Sequence, residues 1–278
     1  MSASYGIVIL SYNHPELTGH TIDSVLKINY KLNSNIYLVH NGSEPKHIQH
    51  LQNKYPQLEH LILPKNVGYS GGANFGLREA FKKENEILFL TNDTEVIRLA
   101  NSFPENLDFF SIAILKRNTP QLDSLIGTVD LKRGHLRHLR SSGELSEKYP
   151  HVKTYIPGTA FGLKKQAFET LQGFDESLHT YWEDVEISLR AHLIPSLRLG
   201  FSELFQVKHK IGKTCHKHRF YTLYLFQRNR KRILNKYGQS RFQFLLRYSK
   251  DMSSLFFKIL SSKERRINLQ LWWKAIYD

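Results

Sequence analysis

Three acids within four positions make residues 181–191 the first candidate for chemistry. This segment, "YWEDVEISLRA", begins with two large aromatic residues and continues with the acids: Tyr181, Trp182, Glu183, Asp184 and Glu186. Thr180 stands three residues before Glu183, the spacing of a capping box, and acids in a first helical turn interact favourably with the helix dipole. Helix capping therefore explains Glu183 and Glu186 as well as chemistry does, but it does not require Asp184. A carboxylate beside an aromatic ring at a helix start can have the raised proton affinity that a general base needs.

A glycine-rich segment, "NVGYSGGANFGL" at residues 66–77, leads into a predicted helix. Glycine lets the backbone approach a ligand closely, and a helix N-terminus favours anions such as phosphate. The glycine spacing matches neither the dinucleotide-binding fingerprint nor the Walker loop. The segment alone therefore predicts a tight turn as readily as a nucleotide site.

Asn92 and Asp93 lie just beyond an apolar strand in "LTNDTEV", residues 90–96. A carboxylate at this place can hold a hard divalent cation that neutralises a diphosphate, although strand-end Asp residues are also common caps. His209 ends the apolar run "LFQVKH". Three further metal-ligating side chains follow it at spacings unlike those of a zinc knuckle, so no zinc site is expected at Cys215, His216 and His218.

The chain has 278 residues, of which 41% are hydrophobic, enough for one large domain or a domain with an appendage. Its single cysteine excludes an internal disulfide and fits a reducing compartment. The opening "MSASYGIVILSYN" has no basic region and an apolar run of only about six residues, so it predicts a first strand and no signal peptide. No run of about 18 apolar residues occurs, so we expect no transmembrane helix and a cytoplasmic protein.

The positive charge of the chain is concentrated in its last quarter. The net charge is +14. From Phe205 onward, 18 Lys and Arg residues stand against three acids, whereas residues 1–204 have a net charge of −1. Such a segment is a solvated basic tail, or it binds nucleic acid or an anionic membrane surface.

Short apolar runs alternate with helix-like stretches in the first half of the chain. The predicted strands are residues 5–10, 35–40, 60–63, 86–90 and 109–115, and the predicted helices are residues 15–27, 44–54 and 72–83. This alternation indicates an α/β fold with a mostly parallel sheet and helices on both faces. Ligands of such sheets bind at the carboxyl ends of the strands, where "SYNHPE", "HNGSE" and "TNDTE" are placed.

Two later regions differ from this pattern. Residues 116–150 are polar and predict a hairpin or a loop excursion. After Thr214, aromatic and leucine residues recur at helical intervals among Arg and Lys, which predicts basic amphipathic helices.

The order and spacing of these segments resemble glycosyltransferase family 2, especially its rhamnosyltransferase-like branch. The resemblance spans roughly residues 5–238 and is carried by "VILSYN", "VHNGS", "NVGYSGGANFG", "FLTNDTEV", "GTAFGLKKQAFETLQGFDESLHTYWEDVEISLRA", "VKHKIGKT" and "YLFQRNR". It implies a GT-A fold, a Rossmann-like sheet that binds a nucleotide diphosphate sugar, usually with Mg²⁺ or Mn²⁺. It places a GT-A catalytic domain at residues 1–214 and a basic helical extension at residues 215–278.

The resemblance also implies roles for single residues. Asp184 falls on the general base, and Glu183 beside it helps to orient the acceptor. Asp93 and His209 fall where the family approaches the metal or the diphosphate. Two aromatic residues shape the acceptor pocket or, equally, pack in the core: Tyr181 and Trp182. The implied donor site is made of Ser11, Tyr12, Asn13, His40, Asn41, Gly71, Gly72, Asn74, Asn92 and Asp93.

Two positions depart from the family pattern. His40 stands where the family has an aspartate that contacts the nucleoside, which leaves the base specificity open. Thr91 occupies the first position of the metal-binding Asp-x-Asp, which leaves one acid for the cation. Glu186 falls outside the implied site and is expected to be solvated or paired with Arg190 at i+4.

The implied reaction is an inverting transfer of a sugar, from dTDP-rhamnose or a UDP-hexose, to a hydroxyl of a glycan or lipid-linked glycan in surface polysaccharide synthesis. The basic helices would then attach to the inner face of the membrane, pack on the catalytic domain or form a homodimer. Three alternatives are a nucleic-acid-binding protein, a nucleotidyltransferase and a non-catalytic family member. The first leaves residues 1–204 without a purpose, and the second requires a basic glycine-rich loop after the first strand, where "SYNHPE" stands instead.

Overall fold

A computed structural model describes residues 5–29, 34–116, 119–141, 144, 150–209, 219–238, 240–260 and 265–277. The first third alternates strands and helices in the order β1 (Gly6–Ser11), α1 (Pro15–Asn29), β2 (Ile36–Asn41), α2 (Pro45–Lys54), β3 (Glu59–Leu63), α3 (Gly68–Ala80) and β4 (Glu86–Thr91). Strands β3, β2, β1 and β4 lie side by side and run parallel. The predicted parallel sheet is therefore confirmed in this part of the chain.

The middle of the chain completes the central sheet and adds a smaller one. Its elements are β5 (Thr94–Arg98), β6 (Phe109–Leu115), β7 (Leu122–Ser124), β8 (Ile126–Asp130), β9 (His135–Leu139), β10 (Val152–Tyr155), β11 (Ala160–Lys164), α4 (Lys165–Leu171), α5 (Glu183–His192) and β12 (Leu199–His209). Strand β11 pairs antiparallel with β4 and β6, β12 runs parallel to β6, and β5 pairs antiparallel with β12. The hairpin expected in residues 116–150 is formed by β8 and β9, to which β10 adds a third antiparallel strand.

Side chains of β1 alternate between two covered faces, as the pleat requires. Ile7 and Ile9 lie in one buried cluster with Ile22 of α1. Val8 and Leu10 lie in another, with Ala73, Leu77 and other residues of α3. Because every side chain of β1 is buried, the strand reads as a continuous apolar run, and the expected helices on both faces are confirmed.

Helix α3 begins at Gly68, one turn earlier than the sequence predicted. Gly68 has a φ of 79°, a left-handed conformation that glycine adopts without steric cost. Farther along, a Cβ atom on Gly76 would lie 2.5 Å from a methyl carbon of Val39. The absent side chain at Gly76 therefore allows α3 to pack directly on the sheet.

Three C-terminal helices complete the fold: α6 (Arg219–Tyr237), α7 (Arg241–Leu260) and α8 (Arg265–Tyr277). Their buried side chains share one apolar cluster with α5 and the smaller sheet; its members include Val129, Tyr155, Trp182, Val185, Leu189, Tyr224, Ile233, Phe244, Tyr248 and Ile259. The inner faces of these helices therefore pack on the rest of the protein, one of the alternatives expected from the sequence. None of the helices in the described part of the chain is long and apolar enough to cross a bilayer.

A buried asparagine on α6 holds the turn that precedes α5. The side-chain amide of Asn229, which has no solvent exposure, donates to the carbonyl oxygens of Leu178 at 2.8 Å, Thr180 at 3.0 Å and Tyr181 at 2.7 Å. The guanidinium of the neighbouring Arg228 also donates to the carbonyl of Leu178. Because carbonyls turned away from regular structure need such donors, α6 stabilises this turn directly.

We predict that Asn229→Ala lowers the free energy of unfolding by about 1–3 kcal/mol, the usual effect of leaving buried polar groups unsatisfied. The matched control is Asn235→Ala, which removes the same side chain from an exposed position on the same helix. Its effect should stay within about 0.5 kcal/mol. Urea unfolding followed by circular dichroism measures both, and equal midpoints for the two variants would contradict the prediction.

Candidate active site

A cleft of about 460 Å³ lies at the carboxyl ends of β1, β2 and β4, where the sequence predicted a ligand site. Strand β12 and helix α6 border it as well. Its lining residues include Tyr12, Asn41, Asn66, Gly68, Tyr69, Asn92, Asp93, Gly158, His179, Thr180, Tyr181, Glu183, Asp184, His209 and Tyr221. The cleft therefore brings together both predicted acid centres, Asp184 and Asp93.

Asp184 is a half-buried carboxyl with two backbone partners. Its Oδ2 accepts a hydrogen bond from the amide of Gly158 at 3.1 Å, and its Oδ1 accepts one from the amide of Val185 at 2.8 Å. Burial raises the pKa of Asp184 to about 6, and these two hydrogen bonds limit the rise. The carboxylate is therefore ionised at neutral pH but basic enough to take a proton, as a general base must be.

Glu183 has a different environment, although it is the adjacent residue. It is 6% exposed, and its Oε2 has no hydrogen-bond partner. Burial, followed by the negative charge of Asp184, raises the pKa of Glu183 well above its usual range. Glu183 therefore holds its proton more strongly than Asp184 does, so Asp184 is the member of the pair that ionises first.

An irregular turn presents these two acids to the cleft. His179, Tyr181 and Trp182 have φ values of 63°, 72° and 69°, in the left-handed region that side chains disfavour. Trp182 is the N-cap residue of α5, which has no side-chain cap. The hydroxyl of Thr180 instead accepts a hydrogen bond from the amide of Tyr69 at 3.2 Å. The capping box predicted for Thr180 and Glu183 is therefore wrong.

Tyr181 and Trp182 separate into different surroundings. The partly buried Tyr181 lines the cleft, as expected of an acceptor-binding residue. Trp182 is 1% exposed and packs at 5.6 Å, edge to face, against the ring of Phe226. Its ring offers no face to a sugar, so the predicted acceptor contact of Trp182 is corrected to core packing.

Glu186 joins α5 to its neighbours. It pairs with Arg190 at 2.7 Å, as predicted. It is only 1% exposed, however, and its Oε1 also accepts from the ammonium of Lys236 and the hydroxyl of Tyr237 on α6. The expectation of a solvated side chain is wrong, because α6 covers this face of α5.

Asp93 and His209 meet across the cleft, although they are 116 residues apart in sequence. The Nε2 atom of His209 lies 3.1 Å from Oδ2 of Asp93, and the hydroxyl of Thr91 donates to Oδ1 at 2.6 Å. Burial by itself would raise the pKa of Asp93, but the hydrogen bonds from His209 and Thr91 outweigh it, and the pKa is lowered. Asp93 is therefore an anion.

One carboxylate and one imidazole nitrogen are a partial ligand set for a divalent cation. Within the described ranges, no group of three His, Cys, Asp or Glu side chains is placed to hold a metal ion. Mg²⁺ and similar ions are often held by one or two protein ligands together with substrate phosphates. Asp93 and His209 fit that arrangement, in which substrate phosphates complete the set of ligands. Residues 210–218, including Cys215, His216 and His218, lie outside the described part of the chain.

Besides Asp93, three residues predicted to bind the nucleotide-sugar donor line the cleft at the strand ends. Tyr12 follows β1 and is 37% exposed. Asn92 follows β4 and donates to the hydroxyl of Thr18 at 2.9 Å. Asn41 ends β2, and its side chain accepts from the amide of Val67 at 3.0 Å and donates to the carbonyl of Gly68 at 2.9 Å. Asn41 therefore holds the start of α3 at the cleft wall.

Ser11 and Asn13 do not line the cleft. Ser11 is buried, and its hydroxyl lies 2.8 Å from that of Thr18. Asn13 has a φ of 52°, and its side-chain oxygen accepts from the amide of Glu44 at 3.0 Å. The predicted contacts of Ser11 and Asn13 with the nucleotide-sugar donor are therefore corrected. The two side chains instead join the end of β1 to α1 and to the loop between β2 and α2.

His40 is also outside the cleft, because its side chain is fully buried beside β3. Its Nε2 lies 2.9 Å from Nδ1 of His60, whose Nε2 donates to the carbonyl of Tyr55. Burial, helped by repulsion from His60, lowers the pKa of His40 to about 4. His40 is therefore a neutral packing residue, and the predicted nucleoside contact is wrong.

The glycine-rich segment meets the cleft earlier than predicted. Gly68 and Tyr69 line it, whereas Gly72 packs against Leu10 and Asn41, where a Cβ atom would lie within 3.0 Å of both side chains. Gly71 is buried in the next part of α3, beside Val67. The donor contacts predicted for Gly71 and Gly72 are corrected to helix packing.

Asn74 is the third residue of this segment to be corrected. Its amide donates to the carbonyl of Phe174 and the carboxylate of Glu176, both at 2.9 Å, and its oxygen accepts from the amide of Phe174 at 2.8 Å. All its hydrogen-bonding groups are therefore used to join α3 to the segment before α5. The predicted donor role is replaced by a structural one.

Tyr69 is the main lining residue that sequence reasoning missed. Its hydroxyl donates to the carbonyl of Gly158 at 2.5 Å, and burial raises its pKa well above the usual value. Tyr69 therefore fixes the loop whose amide binds Asp184. Its position inside the glycine-rich segment was the available signal, but Gly158 comes from a distant loop.

Comparison with known proteins finds relatives for part of this chain. The glycosyl transferase family 2 model matches residues 6–103. The minor teichoic acid biosynthesis protein GgaA of Bacillus subtilis (strain 168) is 26% identical over 196 residues, which are 65% of this chain and 41% of that protein.

Two solved structures share the fold at low sequence identity. GalNAc-T7 with UDP, GalNAc and Mn²⁺ has a TM-score of 0.57 and 15% identity and covers 74% of this chain and 43% of its own. The mannosyltransferase PcManGT of Pyrobaculum calidifontis, in complex with GDP-Man and Mn²⁺, has a TM-score of 0.55 and 12% identity. The match covers 100% of this chain and 75% of the PcManGT chain.

The chain thus spans about two fifths of the length of GgaA and of GalNAc-T7. The expected resemblance to glycosyltransferase family 2 is confirmed for residues 6–103, and the chain has an α/β GT-A fold, whereas the rhamnosyltransferase-like branch stays a prediction.

Proposed function

We propose that this protein is an inverting glycosyltransferase that moves a sugar from a nucleotide diphosphate sugar to a hydroxyl of a glycan acceptor. The observation that carries the proposal is that two carboxyl groups with different pKa shifts line one cleft. The pKa of Asp184 is raised to about 6, which suits a base, and that of Asp93 is lowered, which suits a permanent anion. The matching family model and the donors named with the two solved structures support the same reaction class.

Asp184 acts on the acceptor in this proposal. The acceptor oxygen attacks the anomeric carbon, its proton passes to a carboxylate oxygen of Asp184, and the bond from the anomeric carbon to the diphosphate breaks. The electron pair leaves with the nucleotide diphosphate from the opposite face. The amide of Gly158 keeps Asp184 aimed at the acceptor side, and burial raises the pKa of Glu183 beside it, so Asp184 is the acid of the pair that is ionised first.

The negative charge of the leaving diphosphate would be neutralised beside Asp93. Asp93 and His209 would hold a divalent cation together with the phosphate oxygens, and that cation, Mg²⁺ or Mn²⁺, would neutralise charge on the leaving group. Thr91 orients the Asp93 carboxylate through its hydrogen bond. The GalNAc-T7 and PcManGT structures both contain Mn²⁺, which supports the choice of cation.

The donor and acceptor follow from chemistry shared with the relatives. UDP occurs with GalNAc-T7, GDP-Man with PcManGT, and the family resemblance adds dTDP-rhamnose and UDP-hexoses, so these are the donors we propose to screen. GgaA is named for teichoic acid biosynthesis, which supports an acceptor in a cell-surface polysaccharide.

We predict that Asp184→Asn lowers kcat by about 10²–10⁴-fold, the usual contribution of a positioned base, while nucleotide affinity changes little. Release of the nucleotide diphosphate measures turnover, and calorimetry measures nucleotide binding. The matched control, Asp23→Asn on the outer face of α1, should leave both quantities unchanged. Turnover of the Asp184 variant within threefold of the wild type would remove this residue from the mechanism.

The rate should fall as the pH falls through about 6, because Asp184 is protonated below its raised pKa and cannot accept a proton. Above that pH it is ionised and the rate reaches a plateau. Glu183→Gln should leave this acid limb in place, since the raised pKa of Glu183 makes Asp184 the first of the two acids to ionise. A pH profile of kcat for the wild type and this variant checks the assignment, and a limb that moves with Glu183→Gln would reverse the roles of the two acids.

Removal of the Asp93 anion should weaken the cooperation between metal and nucleotide. Wild-type protein should be stabilised by about 2.7 kcal/mol at a ligand concentration of 100 times the dissociation constant, and only when Mn²⁺ and the matching nucleotide are both present. Thermal shift with UDP, GDP and dTDP measures this. Asp93→Asn should lose more than half of the stabilisation, whereas Asp184→Asn should keep it; equal losses in both variants would contradict separate roles.

A further inference from the structure

Helix α7 has a second apolar face that points away from the protein core. Its inner face is buried through Phe244, Tyr248, Met252, Leu255 and Ile259. Next to that face around the helix, five large hydrophobic side chains are between 41% and 72% exposed: Phe242, Leu245, Leu246, Phe257 and Leu260. Large hydrophobic residues exposed together on one helix face mark an interaction surface.

These five residues lie on one side of the helix, three near its start and two near its end, and are named here the α7 stripe. At 100° per residue, they fall within an arc of about 120° around the helix. The other residues in that arc are the half-buried Phe256 and, between the two apolar ends, Ser249 and Ser253. The α7 stripe is therefore an uncharged, mainly apolar band without a central cation.

Basic residues border this band. Lys250 lies at its edge and is exposed, and the side chain of Arg247 farther round is 52% exposed. On the adjacent α8, Ile267 and Trp273 are 60% and 52% exposed, and Lys274 is exposed beside them. The whole segment from Phe205 onward carries 18 Lys and Arg residues against three acids.

An uncharged, mainly apolar band with a basic border fits one kind of partner best. A second copy of the chain would bring two segments of net charge +15 into contact, which is electrostatically unfavourable in a two-fold dimer. Single-stranded nucleic acid stacks on aromatic rings and needs cations along its phosphates, whereas the α7 stripe is rich in leucine and has no central cation. An anionic bilayer accepts the apolar band at the acyl boundary and the cations among its headgroups.

We propose that α7, with the exposed side chains of α8, attaches this protein to the surface of an anionic lipid bilayer. The attachment is interfacial, with the helix axis along the surface, so that the inner face of α7 keeps its packing on α6 and α8. It is independent of the proposed transferase chemistry, because no residue of the cleft takes part.

Vesicle co-sedimentation of the full chain tests this proposal. Vesicles of phosphatidylglycerol mixed with phosphatidylcholine should bind the protein at least tenfold more tightly than vesicles of phosphatidylcholine alone, and high salt should weaken the binding. Lys250→Gln should weaken it about fivefold, the effect of one basic residue near such a surface. Lys27→Gln, an exposed position on α1, is the matched control and should have no effect.

A second pair of variants tests the apolar part. The double variant Leu246→Ser, Phe257→Ser, named here the α7 pair, should bind anionic vesicles at least tenfold more weakly. Its unfolding midpoint should be unchanged, since both side chains are exposed. Ile62→Ser with Leu193→Ser removes two equally exposed apolar residues elsewhere and should not weaken it.

Four outcomes would overturn the proposal. Equal binding to neutral and anionic vesicles, or no effect of the α7 pair, would do so. A dimer in light scattering that the α7 pair disrupts would assign the α7 stripe to a second copy. A salt-sensitive shift of unrelated oligonucleotides that the same pair abolishes would assign it to nucleic acid.

Discussion

The left-handed turn before α5 is the constraint on which the cleft depends. Positive φ values at His179, Tyr181 and Trp182 bring the first turn of α5 to the cleft, so that Asp184 meets the amide of Gly158. Each such conformation is costly for a residue with a side chain and persists only where its surroundings hold it. Asn229 supplies that hold through three carbonyl oxygens, so a C-terminal helix determines where the candidate base lies.

Two carboxyls in one cleft acquire opposite properties because their burial is compensated differently. Asp184 has only backbone amides as partners, so burial prevails and its pKa is raised. Asp93 is also buried, but His209 and Thr91 donate to it, so its pKa is lowered. Separated proton affinities in a single site are what general base catalysis and leaving-group stabilisation require together. The proposed reaction class rests on that separation and not on the fold alone.

The C-terminal helices connect the cleft with the outer surface of the protein. Helix α6 contributes Tyr221 to the cleft and joins α5 through Tyr237 and Glu186. Its other neighbours, α7 and α8, share the same apolar cluster. Because these contacts are continuous, the surface proposed for lipid is packed against the elements that position Asp184. The described helices of the basic quarter, α6 to α8, are thus packed into the folded protein.

The sequence by itself predicted the alternation of strands and helices in the first half of the chain and the edge of the sheet that carries the cleft. Those predictions depend on local periodicity and on the rule that parallel strands end at one rim, whereas the choice of His209 and the roles expected of Asp184 and Asp93 depend on the family resemblance. Only the tertiary structure decided which polar residues face that rim. His40 and Asn74 lie in the expected segments, yet each turns toward a partner far along the chain. Side-chain direction depends on packing between distant segments, and spacing within one segment does not contain it.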